Sequence, residues 1–294
     1  MSSINTNPSA VTALQSLRNT QMALNSTQKE ISTGLKISSA ADNASTWSMA
    51  ETMKSDQNVL STIADSLSLS GSTLNVASAA VNSAISVVNS IKTAAAQAQQ
   101  PGADTAKIGT SLAQLGQKLS SIVSSASFTG INLLDGSGTG TTKFVASYND
   151  NSGTAASTVG TIDLTTTALV NAGAGILENA QATGANGSTN FTSLSAADVA
   201  SGTVSDTLSN ADKVISQLTT YASQIGAVQA RVSSQSTFIQ ALKDALTTGV
   251  SSLVDADMNQ ASTRLQALQT QQQLGVQSLS IANQNSQLIL KLFQ

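Results

Sequence analysis

The sequence contains no cysteine and no histidine among its 294 residues. That removes the disulfide, the thiolate nucleophile, the commonest general base and the usual ligands of transition metals. Zinc enzymes and cysteine proteases are excluded, and a nucleophile, base and orienting group would have to come from scattered carboxylates or lysines. No catalytic, cofactor or metal site is expected, and the chain reads as no enzyme. Proline occurs only at Pro8 and Pro101, so long helices can run without interruption. Aromatic residues make up 3% and charged residues 10%, with 13 basic and 16 acidic side chains giving a net charge of −3. The basic residues form no stripe that could track a phosphate backbone, so no nucleic acid partner is expected. No apolar run approaches the roughly 18 residues that span a bilayer, so no membrane insertion is expected. Met1 to Ala10 lack the basic start and apolar core of a cleavable signal peptide. These signals read as a soluble chain, and the lack of cysteine also suits export by a route that needs no cleavable signal.

What the chain does have is small aliphatic residues, 40% apolar in all and mainly Ala, Leu, Val and Ile. Such a chain buries side chains along seams between helices and not around large rings. The stretch from Val254 to Phe293 shows this best. Alternating steps of four and three meet Val254, Met258, Ala261, Leu265, Leu268, Gln272, Gly275, Leu279, Ala282, Ser286, Ile289 and Phe293. That spacing belongs to a helix lying along another helix. A second apolar line, Leu274, Ile281 and Leu288, runs beside it, so this helix has more apolar surface than one partner covers.

At the other end Ile4, Val11, Leu14, Leu17, Leu24, Ile31 and Leu35 recur at helical spacing, and the C-terminal helix is the expected partner. Gly34 interrupts the pattern, and an extended connector should lead to Asp42, with Ser39 and Asp42 at capping-box spacing to start the next helix. That helix, about Asn43 to Gln99, follows the seam Met53, Leu60, Ile63, Leu67, Ser70, Leu74, Ala77, Val81, Ala84, Val88, Ile91 and Ala95. It would be on the order of 80 Å long. A turn at Pro101, Gly102 and Asp104 precedes a third helix on Ile108, Leu112, Leu115, Leu119, Ile122 and Ala126, antiparallel to the second. From Phe128 the period changes. Residues 128–136 read as a helix exit, a short strand and an Asp-Gly turn, and two more short strands are expected around Phe144, Ala146 and Tyr148 and around Ile162 and Leu164. The Gly, Ser, Thr and Asn content between Gly136 and about Ser201 predicts the least helical and most exposed region. A fourth helix starts at the Thr203 and Asp206 cap and runs through Leu208, Ala211, Ile215, Leu218, Ile225, Val228, Val232, Ile239, Leu242 and Leu246, with a register shift near Ala222. The expected class is mainly α: a long antiparallel helical bundle or coiled coil with a small β element at mid-chain. Residues 1–33 and 255–294 are the paired terminal helices, 34–136 and 201–254 the long-helix body, and 137–200 a short variable surface region.

Several ordered motifs resemble bacterial flagellin. They are Ile4-Asn5-Thr6-Asn7, the segment from Glu30 to Asn43, Phe128-Thr129-Gly130, the stretch Ile225 to Arg231, Gly275 to Asn283 and the closing Ile289 to Gln294. The tail from Leu268 to Gln277 is most similar to short alphaproteobacterial flagellins. The resemblance implies a structural subunit that self-assembles into the flagellar filament, the propeller of motility. The terminal helices would form an inner core tube, the long helices and β tip an outer core, and the short middle would replace larger surface domains. It also implies unfolded type III export to the extracellular filament, and a flagellar cap, junction proteins and an export chaperone as partners beside the homopolymer. In flagellins that activate the innate-immune receptor, the patch after the first long helix carries Arg and Leu where this sequence has Lys92 and Ala94. Arg offers a planar fork that Lys cannot copy, so this patch is expected to be degenerate.

The terminal helices have apolar surface to spare, so Leu14, Leu17, Leu24, Leu265, Leu268, Leu279 and Ile289 are the expected contacts with neighbouring subunits. Gln21, Gln28, Gln272 and the neighbouring glutamines read either as a solvated face or as the lining of a wet axial channel. Asp255 and Asp257, near a helix start, read as caps. Trp47 is expected to pack where the connector meets the second helix, and the serines and threonines of the middle region are loop residues or, alternatively, O-glycosylated. Two other functions fit less well: a hook–filament junction protein on the same plan, and a secreted coiled-coil effector or translocator, which would want an apolar insertion segment.

Overall fold

The computed structural model describes residues 7–137, 140–149, 158–200 and 202–292, with 285–292 as backbone. Five α-helices and two small antiparallel strand pairs follow one another along the chain: α1 (Pro8–Thr33), α2 (Ala44–Gln97), α3 (Thr105–Ser125), β1 (Ser127–Phe128), β2 (Ile131–Asn132), β3 (Thr141–Asn149), β4 (Thr158–Thr165), α4 (Val204–Val254) and α5 (Met258–Leu292). The mainly helical class with a small mid-chain β element is what the structure shows. The chain divides into two compact units, Met1–Gln57 with Asp244–Gln294, and Asn58–Lys243.

In the unit Asn58–Lys243 the α2 seam is buried as its spacing predicts, with Leu60, Ile63, Leu67, Leu74, Val81, Val88, Ile91 and Ala95 all inside. Asn75 Oδ1 accepts from Gln229 Nε2 at 2.8 Å and Lys92 Nζ meets Asp212 at 2.5 Å. A 17-residue advance along α2 is matched by a 17-residue retreat along α4, so the two helices run antiparallel in register. By length and composition alone α2 is apolar enough to cross a membrane, although no unbroken apolar run in it approaches that length. Serines and asparagines break its apolar stretch into short runs, yet Leu74, Val81, Val88 and Ile91 have no exposed surface and form the core. A buried core helix passes the same test.

On α4 the buried stripe is Val204, Thr207, Ala211, Val214, Leu218, Tyr221, Ile225, Val228 and Val232. Its three-four spacing is unbroken, so no register shift occurs near Ala222. Leu208 and Ile215 lie half-buried beside the stripe. Thr203 does not cap this helix, because its hydroxyl donates back to the Ala197 and Ala200 carbonyls. On α3 the buried line is Gly109, Leu112, Gly116, Leu119 and Val123, and Ile108, Leu115 and Ile122 flank it. The two glycines explain the offset. A Cβ on Gly109 would sit 2.6 Å from Ala196 Cα, and one on Gly116 would sit 2.9 Å from the Phe191 carbonyl oxygen.

That close approach also corrects the picture of an exposed middle region. Leu133, Leu134, Phe144, Ile162, Leu164, Leu169, Leu177, Phe191, Leu194 and Val199 are all buried, and a 3₁₀ turn at Ala196–Val199 lies against α3. β3 and β4 pair antiparallel, from Thr141 opposite Thr165 to Asn149 opposite Thr158, with an irregularity between Val145 and Ser147. The turn of the first hairpin is Thr129-Gly130, both with positive φ (51° and 82°), and not Asp135-Gly136. Positive φ at both central residues twists a two-residue turn to match its strands. Tyr221 closes this core: its hydroxyl donates to the Leu133 carbonyl at 2.9 Å, and burial pushes its pKa above the ordinary 10.0.

Candidate assembly surface

The unit formed by Met1–Gln57 and Asp244–Gln294 is organised by α1 and α5, which pack along each other. Asn7 caps α1 by accepting the Ala10 N–H at 3.2 Å, with Pro8 following it, and Gly34 ends α1 in the left-handed region at φ 71°. Proline at the first helical position and glycine just past the last are the residues whose backbone suits those places. The helices run antiparallel: Asn7 Nδ2 donates to the Ala282 carbonyl at 2.8 Å, and Gln272 Nε2 donates to Gln21 Oε1 at 2.7 Å. A Cβ on Gly275 would lie 3.2 Å from Leu17 Cδ1, so the glycine admits the leucine. Gln21 and Gln272 therefore face each other across the pair; Gln21 is exposed, as a solvated face expects, and Gln272 is half-buried.

Two connectors meet beside this pair. Leu35 and Asp255 form a backbone bridge, Lys36 N–H donates to the Val254 carbonyl at 2.7 Å and Ala256 N–H to the Gly34 carbonyl at 2.9 Å. The second helix starts at Ala44, after Asn43, whose side chain accepts the Thr46 N–H at 3.2 Å. The Ser39–Asp42 spacing is put to a different use. Asp42 accepts from the N–H and hydroxyl groups of both Ser38 and Ser39 at 3.0–3.1 Å, and pairs with Lys29 of α1 at 3.3 Å. The Ser38 bonds, then the Ser39 hydroxyl and least of all Lys29, hold this carboxyl far below the usual carboxylate range. Asp257 caps α5 by accepting the Asn259 and Gln260 N–H groups at 3.0 and 3.2 Å, while Asp255 accepts the Ser251 hydroxyl and is not a cap. Trp47 is half-buried near the start of α2. A cleft of about 250 Å³ at the joint is lined by Glu30, Lys36, Asp255, Asp257 and Arg264. Among the described residues no group of three or more acidic side chains is placed to hold a metal.

The expected contact residues divide. Leu24 is 5% and Leu268 9% exposed, both enclosed within the same chain, and Leu17, Leu265 and Leu279 are half-buried. Leu14 keeps 37% of its surface, and Ile289 lies outside the residues whose side chains are described. The apolar surface left in solvent is carried instead by Val11, Met22, Leu274, Val276 and Ile281, each more than half exposed. Leu274 and Ile281 are the second apolar line of α5. Lys92 is engaged by Asp212, and Ala94 beside it is half-buried.

Two long helices paired from opposite ends of a chain, with apolar surface outward, fit the comparisons with known proteins. Residues 4–139 match the bacterial flagellin N-terminal helical region and residues 208–293 the bacterial flagellin C-terminal helical region. Flagellin C of Rhizobium meliloti (strain 1021) is 40% identical over 321 aligned residues, covering all of both chains. The chain belongs to the bacterial flagellins. The flagellin of Brucella melitensis biotype 1 is 41% identical over the whole of both chains, and Caulobacter vibrioides flagellin FljK is 36% identical over all of this chain and 99% of its own. This flagellin is thus similar to short alphaproteobacterial members of the family. It is a structural subunit of the flagellar filament, the propeller of motility.

Proposed function

We propose that the α1·α5 pair is the polymerisation surface of this flagellin and that neighbouring subunits bury Val11, Met22, Leu274, Val276 and Ile281. The observation that carries this is the second apolar line of α5, with Leu274 and Ile281 each 59% exposed. Burying a large aliphatic side chain contributes about 1.5–3 kcal/mol, and association costs about 4–15 kcal/mol. One such residue does not hold a subunit, but several together do. Leu14, Leu17, Leu265 and Leu279 lie at the margin of this surface, with Leu24 and Leu268 setting the pair's internal packing. In this reading residues 1–33 and 255–294 line the inner tube, 34–136 and 201–254 form the outer core and 137–200 face outward. Type III export, a cap, junction proteins and a chaperone complete the assembly, and no catalysis is assigned to it.

The test is seeded growth: purified subunit mixed with short filament fragments, followed by sedimentation and negative-stain electron microscopy. Wild-type chain elongates the seeds. Ile281→Asp and Leu274→Asp keep the circular dichroism of the wild type and fail to elongate them. Elongation of both variants at the wild-type rate refutes the surface. A wild-type chain that stays monomeric with seeds under salting-out conditions points to a junction protein.

A further inference from the structure

The segment between β4 and α4 is fixed around one buried side chain. Asn210 of α4 has no exposed surface; its Oδ1 accepts the Ala182 N–H at 2.6 Å, and its Nδ2 donates to the Gly187 carbonyl at 3.0 Å and to Thr189 Oγ1 at 2.8 Å. A backbone bridge between Ala180 and Thr189 closes the neck of the loop. Three of the four hydrogen-bonding positions of this buried amide hold the loop. At its tip stands Asn186-Gly187, the one Asn-Gly pair in the sequence.

The turn does not demand this glycine. Gly187 has no positive φ, and a Cβ there would meet no atom within 4 Å. Asn186 and Gly187 are both exposed, and among the described residues neither the Asn186 carboxamide nor the Gly187 N–H makes a hydrogen bond. A carboxamide free to swing, an unengaged N–H one residue on and no side chain to hinder their meeting are the three conditions for cyclisation of asparagine onto its own backbone.

We infer that Asn186 is a site of spontaneous deamidation, in which this flagellin converts its own surface loop to an aspartyl or isoaspartyl form. Hydroxide removes the Gly187 amide proton, and the nitrogen attacks Asn186 Cγ. The Cγ–Nδ2 bond breaks, and ammonia leaves with a proton taken from water. Water then opens the five-membered imide at either carbonyl, giving aspartate or isoaspartate at position 186. Each event adds one negative charge to a chain of net charge −3. The isoaspartyl product also places an extra methylene in the backbone just before the carbonyl that Asn210 holds. Subunits that stay long in a polymer accumulate the change, so a filament becomes more acidic with age.

The test is incubation of the full-length chain at neutral and mildly alkaline pH, with peptide mapping by mass spectrometry and labelling by an isoaspartyl methyltransferase. Label appears at position 186 ahead of every other asparagine, and its rate rises with hydroxide concentration. Gly187→Ala fits the open space, leaves the circular dichroism unchanged and loses most of the label, because the new methyl group hinders the attack. A peptide of residues 180–192 supplies the unstructured reference. Position 186 unlabelled in the folded chain while the peptide labels overturns the inference, as does Gly187→Ala labelling at the wild-type rate.

Discussion

Replacing glycine by alanine inside a helix is expected to stabilise it, by about 1 kcal/mol from helix propensity. Gly109 of α3 should reverse that sign. Its new Cβ would lie 2.6 Å from Ala196 Cα and 2.7 Å from both Ala196 N and Cβ. Those distances fall about 1 Å inside the ~3.5–4.0 Å at which carbon atoms rest against one another. Two of the three atoms are backbone, so no side chain can rotate away. Overpacking of this kind costs about 1–3 kcal/mol, and against a backbone the upper part of that range applies. The expected net effect of Gly109→Ala is a loss of about 1–2 kcal/mol after the propensity gain. Gly226 of α4 is the internal control: it is exposed and nothing lies within 4 Å of its Cβ position. Gly226→Ala should gain about 0.5–1 kcal/mol. The assay is urea unfolding of the monomer followed by far-UV circular dichroism, with the midpoint of each variant compared at equal slope. If Gly109→Ala proves as stabilising as Gly226→Ala, the segment 190–200 does not lie against α3 and the account of the middle region fails.

Tyr221→Phe removes a buried hydrogen bond and strands the Leu133 carbonyl, so the same unfolding assay should show a loss of about 1–3 kcal/mol. Because burial raises the tyrosine's pKa above 10.0, the wild type keeps the full contribution below that pH and loses it as pH rises further; the variant should show a weaker alkaline loss. Asp42 is depressed, so its stabilising bonds are present above the ordinary 3.8 and persist well below it, disappearing only as pH falls through the folded value. Hydrogen exchange at the Ser38 and Ser39 amides, corrected for intrinsic rate, should stay protected in the wild type at pH 3.8 and be faster at neutral pH in Asp42→Asn; equal exchange in the two chains would remove the role given to Asp42. Lys92 is engaged by Asp212 and Ala94 offers little apolar area, so a reporter-cell assay of the innate flagellin receptor should show weak or no activation, and a response equal to that of an enteric flagellin would contradict this.

The sequence showed the helices clearly, because each long seam repeats over many turns and every turn adds to the same signal. It showed the strands of β3 and β4 from the alternation at Phe144, Ala146, Ile162 and Leu164. Where a buried position carries a polar or very small residue, the pattern is silent. On α4 the sequence reading takes Leu208 and Ile215 in place of the buried Thr207 and Val214 and omits Tyr221, and the missing step then looks like a register shift. Gly109 and Gly116 are buried because they are small, a property that an apolar count does not register. The folded middle region was hidden for the same reason: Asn210 organises a loop from inside, and a lone asparagine on a helix gives no sign of burial. At the proposed assembly surface both apolar lines of α5 are visible in the sequence. Which of them faces α1 is not, since spacing defines faces and leaves the partner of each face open.

Asn7 and Ala282, joined by one hydrogen bond, stand 275 positions apart. Bringing the ends of a flexible segment that long together carries an entropic cost of about 5 kcal/mol, before any contact offsets it. The terminal pair is therefore a poor nucleus, and it is expected to close late, after more local contacts have shortened the effective separation of its two helices. A second chain offering the same helix escapes that closure term and answers only to its concentration. Refolding from a dilute solution thus favours pairs closed within one chain. Refolding from a concentrated one favours helices exchanged between chains.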